Sequence, residues 1–308
     1  MLNSFIVVGT NVLIIFILIV VGFFCGKRKY ISDEGMKSMN TIMLNIVTPC
    51  VIISSLQKEF NEVLLKNFLL AILSAILSHV IGFVLSLVLV HDKNESRKKT
   101  LQFAAIFSNC GFMALPLIEA ICGSEGLFYG SAYIVVLNLI SWSFGYRLMS
   151  DGSKESHLKE AILNPGVIPS IIGLILFLFS VSLPPIILTP MKHFSGLNTP
   201  IPMLIIGYSI SKMDLEDFLK LKDLWQPLLI RLIATPSILM LILYLLGFRG
   251  TLLVTVIISA AAPTAAMTTM LSIKFDRDCT LASKVVAVSS LFSVITMTVI
   301  VSVAKFLS

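Results

Sequence analysis

The stretch FSNCGFMALPLIEAICGSEG, residues 107–126, sets Asn109, Gly111, Pro116 and Gly123 inside an apolar run as long as a helix. Proline has no backbone N–H, and its ring collides with the carbonyl four residues back, so a helix that reaches Pro116 is expected to break. A second stretch, TVIISAAAPTAAMTTM at residues 255–270, repeats the pattern around Pro263. What two such breaks mean depends on the solvent around them.

Composition decides that solvent. Of 308 residues, 56% are hydrophobic and 13% charged, and the mean hydropathy is +0.96. Charges are too few to coat a water-soluble globule of this size, so the chain belongs in a lipid bilayer. Apolar runs able to cross a hydrocarbon core of about 30 Å recur from end to end. Ten are read, at about 5–25, 38–57, 66–90, 101–121, 127–147, 164–184, 196–211, 224–246, 251–273 and 280–304. The first follows no basic segment, exceeds a signal-peptide core in length and is succeeded by Lys27, Arg28 and Lys29, so it reads as a retained span. The five cysteines, Cys25, Cys50, Cys110, Cys122 and Cys279, form no CxxC pair and read as small apolar residues.

The net charge of +6 reports orientation, with no nucleic-acid partner implied. Connections that follow odd-numbered spans carry sixteen Lys and Arg, and those on the opposite side carry five. This bias puts the odd connections in the cytoplasm and both termini outside. The longest polar connection, residues 147–163, leaves five spans on each side, dividing the chain into 1–150 and 151–308. An odd number of spans per half makes the second half enter the membrane upside down. The expected fold is therefore an all-α membrane protein with ten transmembrane helices in two inverted five-helix repeats, helices 4 and 9 being broken.

A broken helix frees backbone groups that lipid cannot satisfy, which is tolerated only where they line protein or a wet cavity. Proline also suits the first position of a helix, so Pro116 and Pro263 are expected to start second half-helices facing the midplane. Each such start carries about half a positive charge and several unpaired N–H groups, a natural seat for a carboxylate. Ser108, Asn109 and Thr264 lie beside the breaks and can add side-chain hydrogen bonds. Two cations fall inside spans, Arg231 and Lys284. Each either snorkels its charge to the cytoplasmic surface or offers a positive contact, to an anionic substrate or to Glu119. Glu119 and His79 are the candidate proton-coupling groups, with helix capping or an aqueous-facing charge for Glu119 and ordinary packing for His79 as the alternatives. The pairs Gly22/Gly26 and Ser74/Ser78 read as close helix contacts, and Met267 and Met270 as packing.

The combination of NCGFMALPLIEAICGSEG with VVLNLISWSFG, NPGVIPSIIGLIL, TPIPMLIIGYSIS and AAPTAAMTTMLSIKFDRDCTLAS resembles the auxin efflux carrier family in its short bacterial form. The resemblance covers essentially the whole chain. It implies helices 4 and 9 crossing at Pro116 and Pro263, with an architecture similar to that of bile acid sodium symporters. It matches Asn138 to the polar position of the span after the first break. It implies a transport part from spans 3–5 and 8–10 and a scaffold from spans 1–2 and 6–7. The long cytoplasmic loop of plant members is reduced here to about 17 residues. His79 is the one polar candidate where plant members carry charged residues in span 3, so the resemblance points to malate-like or malonate-like carboxylates rather than to auxin.

HExxH, GxSxG and membrane Asp pairs are absent from the sequence, so an enzyme is not expected. Neither a cofactor nor a metal site is expected. The reading is a secondary transporter for a small organic anion, multi-pass in the plasma membrane, the inner membrane of a bacterium. Its substrate contacts are Ser108, Asn109, Pro116, Asn138, Pro263, Thr264 and Lys284. Coupling to protons or to sodium and assembly as a homodimer are left open. A sodium-coupled symporter of the bile-acid type and an anion channel are the alternatives.

Overall fold

The computed structural model describes residues 2–150, 167–212 and 224–308. Twelve helices account for nearly all of them: α1 (Leu2–Lys27), α2 (Asp33–Ser55), α3 (Glu62–Leu89), α4 (Glu95–Ile106), α5 (Cys110–Met149), α6 (Val167–Leu178), α7 (Pro185–Ser195), α8 (Pro200–Ser211), α9 (Trp225–Leu245), α10 (Gly250–Ala261), α11 (Met267–Lys274) and α12 (Cys279–Leu307). Five of these, α2, α3, α5, α9 and α12, are long and apolar enough to cross a membrane. Among the shorter helices, α6, α10 and the 13–27 part of α1 are apolar as well. Gly123, at φ 62° and ψ −154°, kinks α5 between the two expected spans 4 and 5, a conformation that glycine adopts without a Cβ penalty.

The helices are inside out relative to a water-soluble protein. On α3 the exposed stripe is Leu69, Leu73, Ile76, Val80, Val84 and Leu87, whereas Ala71, Ser74, Ser78, His79, Gly82 and Ser86 are buried. Small and polar side chains permit close approach between helices where lipid supplies no hydrophobic drive, and large apolar ones face the hydrocarbon. The α1–α8 contact takes this furthest. Gly207 and Gly22 face each other so closely that a Cβ on either would meet the main chain of the opposite helix.

Three wide helical turns, Met43–Val47, Cys110–Ala114 and Ile230–Ala234, each end two residues before a proline, namely Pro49, Pro116 and Pro236. In each, the N–H after the turn reaches five residues back, as Leu115 does to the Cys110 carbonyl. Widening moves aside the carbonyl that the proline ring would strike, so the helix runs on through the proline. At Pro116 the structure thus differs from the expected break: α5 starts at Cys110, six residues earlier.

The connections sort into two ends. At one end Arg97 pairs with Asp92 (3.1 Å) and Asp278 (3.3 Å), Arg277 donates to the Met149 carbonyl (2.7 Å), His91 N–H donates to Gln226 (2.9 Å), and Tyr208 and Lys212 meet Asp33. At the other end Leu183 N–H donates to Gln57 (2.7 Å), Phe60 N–H to Ser180 (3.2 Å) and Lys58 to Ser124 (3.3 Å). Connections after expected spans 1, 3, 5, 7 and 9 share the first end, and those after spans 2, 4 and 6 share the second. The charge-rich connection between the halves falls largely outside the described residues.

Candidate functional site

Helices α4 and α10 stop inside the protein, and the peptides that follow them cross. Ser108 and Thr264 form an isolated antiparallel bridge. Asn109 N–H donates to the Pro263 carbonyl (2.7 Å), and Ala265 N–H donates to the Phe107 carbonyl (2.9 Å). The backbone groups that one break exposes are therefore satisfied by the other, which makes two buried helix breaks compatible with a membrane interior.

Side chains close the remaining gaps. Thr264 donates from its hydroxyl to the Ala104 carbonyl (3.0 Å), and its N–H donates to Ser289 Oγ (3.1 Å). Arg231, 1% exposed on the wide turn of α9, spans both breaks. It donates from Nη1 to the Ile106 carbonyl (2.8 Å) and from Nη2 to the Ala260 carbonyl. These carbonyls belong to the last turns of α4 and α10, the negative ends of two helix dipoles. Snorkelling, contact with an anionic substrate and contact with Glu119 were the sequence expectations for Arg231; the structure buries it against two helix-end carbonyls, outside the cavity lining. Its position about two turns into span 8 was legible, but its acceptors were not.

On the other side of each break a helix begins, and both starts open on one cavity of about 400 Å³, within the range of small-molecule sites. The crossing contributes Phe107, Ser108, Asn109, Ala265 and Ala266, and the first turns of α5 and α11 contribute Gly111, Phe112, Met267 and Met270. The far half of α5 adds Ile134, Leu137, Asn138, Ser141 and Trp142, and α2 adds Asn40, Leu44 and Thr48. Among the described residues, no ionisable side chain lines the cavity. Neither the Asn109 nor the Asn138 amide is engaged in a hydrogen bond among the described residues, and Ser108 Oγ is buried with no partner. Asn40, Thr48 and Trp142 are lining residues that sequence reasoning missed. Nothing in the local pattern of α2 distinguishes Asn40 from its other polar residues.

The sequence candidates divide accordingly. Ser108, Asn109 and Asn138 line the cavity together. Thr264 and Pro263 belong to the crossing peptide behind it, where their backbone groups hold Ser289 and Asn109. Pro116 is buried one turn beyond the cavity, Glu119 is exposed, and Lys284 is half-buried on α12; none of the three lines it. His79 is buried against Phe107 and Tyr133, with ring centroids 5.8 and 5.7 Å away. It donates from Nδ1 to the Ala75 carbonyl (2.7 Å), which leaves Nε2 without a partner. Tyr133 in turn donates to Ser78 (2.9 Å).

The sequence profile of a family described as membrane transport protein matches residues 7–161 and 153–301. The chain belongs to this family. Its members are carriers of the auxin efflux type, as the motifs around the two breaks had indicated. An uncharacterized transporter of Methanothermobacter thermautotrophicus is 26% identical over 291 residues, covering 93% of this chain and 95% of the relative. An uncharacterized transporter of Methanocaldococcus jannaschii is 24% identical over 301 residues, covering 92% and 94%. The uncharacterized transporter YfdV of Escherichia coli is 24% identical over 189 residues, 56% of this chain and 59% of its own length. The protein is thus a multi-pass membrane transporter, with the broken-helix crossing at its centre.

Proposed function

We propose that this family member is a secondary carrier for a small organic anion, a mono- or dicarboxylate, working by alternating access. The observation that carries the reading is the cavity into which the two helix starts converge, lined by Ser108, Asn109 and Asn138. A carboxylate there would accept from the first N–H groups of α5 and α11 and from the amides of Asn109, Asn138 and Asn40. With no cation lining the cavity among the described residues, the anion is held by dipoles and hydrogen bonds, which suits a substrate that must leave again. Thr264, Pro263 and Pro116 would shape the crossing rather than touch the substrate. Lys284 would act as a field source at the α12 surface, with Glu119 and His79 the groups to test for proton coupling.

A ten-helix layout of two inverted repeats, 1–150 and 151–308, is supported by the sorting of connections into two ends and by the paired breaks in α4–α5 and α10–α11. The cavity takes walls from α2, in the expected scaffold, and from α5 and α11, in the expected transport part. A boundary between two bodies is where rocking would open the site to either side in turn. The sixteen-to-five charge bias supports both termini outside, in the plasma membrane.

Uptake of radiolabelled mono- and dicarboxylates into proteoliposomes, with and without sodium and a pH gradient, tests this reading. Saturable uptake of at least one carboxylate is expected. Uptake no greater than in protein-free vesicles across the panel would refute it, and unitary conductance steps in planar bilayers would replace it with the channel. The sodium-symport alternative is weakened by Arg231, a fixed cation bonded to the helix-end carbonyls at the crossing.

A further inference from the structure

In carriers built from broken helices, the positive half-helix starts face anionic groups, while the unwound carbonyls and negative half-helix ends hold the coupling cation. Both kinds of end are present here, and the negative ones are already occupied. Arg231 reaches the Ile106 carbonyl at 2.8 Å and the Ala260 carbonyl, one from each broken helix. The guanidinium is 1% exposed, and among the described residues its Nε has no hydrogen-bond partner; the two carbonyls are the close acceptors of its Nη groups, with the Tyr133 side chain beside them. Among the described residues no carboxylate forms an ion pair with it; Tyr133 and Cys110 are the polar groups beside it. A buried charge is ordinarily paired with an opposite one. Here two dipole ends take that role, each worth about half a negative charge, and together they balance one cation.

We propose that Arg231 is a tethered cation, filling within the fold the position that a free coupling ion takes in other broken-helix carriers. The guanidinium clamps the ends of α4 and α10 together throughout the cycle and keeps the crossing closed on that side. The driving ion for transport is then not sodium bound at the crossing. Arg231 is a positioning residue: it does not line the cavity, but its acceptor Ile106 directly precedes the lining residues Phe107 and Ser108. The flat fork of donors matters as well as the charge, because two carbonyls from separate helices must be met at once.

The consequence for transport rests on the carrier reading above, but the test reads stability of purified protein alone, so that either can fail without the other. The Arg231→Ala variant leaves a cavity of guanidinium shape between two carbonyls. Its Tm in detergent is expected to rise by about 3 °C in roughly 50 mM guanidinium chloride relative to choline chloride at equal ionic strength, as a bound ion stabilises the folded state. Under the same salts the parent and Arg231→Gln, whose side chain fills the space, are expected to change by less than about 1 °C. A rise in Arg231→Ala no larger than in the parent would overturn the proposal. A second measurement needs no variant: the parent's Tm should be equal in sodium, potassium and choline chloride. A sodium-specific rise of more than about 2 °C in the parent would show a free cation at work and overturn it too.

Discussion

Replacing Gly207 with Ala is expected to be strongly destabilising at the α1–α8 contact. A Cβ there would stand 2.0 Å from the Ile19 carbonyl oxygen, 2.6 Å from the Phe23 nitrogen and 2.8 Å from the Gly22 carbonyl carbon. All three atoms are main chain of α1, so no rotamer change relieves them. Ordinary contact at about 3.5 Å requires α1 to retreat by about 1.5 Å, and a gap of even 0.5–1 Å forfeits a quarter to a half of each pair's attraction. In lipid, that attraction is most of what holds two helices together. The cost is about 3 kcal/mol, a fall in Tm of roughly 6–12 °C. Gly22→Ala should match it, since its Cβ would meet the Leu204 carbonyl oxygen at 2.5 Å and the Leu204 Cα at 2.7 Å. Gly26→Ala is the internal control. Its Cβ would meet Ser211 Oγ at 2.0 Å, a side-chain atom that can turn aside at the loss of its 2.7 Å bond to the Tyr208 carbonyl, and Ser211 Cβ at 2.9 Å, which needs only a small backbone shift. That costs about 1 kcal/mol, or roughly 2–4 °C. Thermal unfolding of the three detergent-purified variants reads the order. Gly207→Ala melting within about 2 °C of the parent, or above Gly26→Ala, would refute the close-packed interface.

Gly111 lines the cavity and a Cβ there meets nothing within 4 Å. Gly111→Leu is therefore expected to keep its Tm while carboxylate binding falls tenfold or more, about 1.4 kcal/mol, by calorimetry; unchanged affinity would remove the cavity as the site. Pro116→Ala should leave the crossing in place, because Asn109 and Ala265 hold it by bonds to Pro263 and Phe107. Affinity is expected to fall less than about threefold, and a loss beyond about tenfold in a well-folded protein would show that the widened turn itself shapes the site. A Ser153→Cys protein, altered in the connection between the halves outside the described residues, should resist an impermeant thiol reagent in intact cells and react after lysis. Labelling from outside would invert the orientation.

The membrane as solvent, the helical class and the family are written along the chain itself. Hydropathy, the charge bias and proline placement are properties of short segments, and neighbours in space do not alter them. The close contact at Gly22 was legible for the same reason, since small residues at helical spacing have few other uses in lipid. Ser108, Asn109 and Asn138, which line one cavity, were singled out by the sequence, the first two through their nearness to an expected break and Asn138 through its resemblance-matched position. The position of the break was not. Pro116 is absorbed by a wide turn, and the interruption falls at Phe107–Asn109 because the Phe107 carbonyl and the Asn109 N–H find their partners at Ala265 and Pro263 in the other half of the chain. Arg231 shows the same limit. One cation in an apolar span has the same sequence whether it snorkels, meets substrate or clamps two helix ends. Its meaning comes from carbonyls at Ile106 and Ala260, which only the folded chain brings within reach of one side chain. Where a helix stops, and what its unpaired groups then hold, depends on hydrogen-bond partners distant in sequence, and that pairing belongs to the tertiary structure.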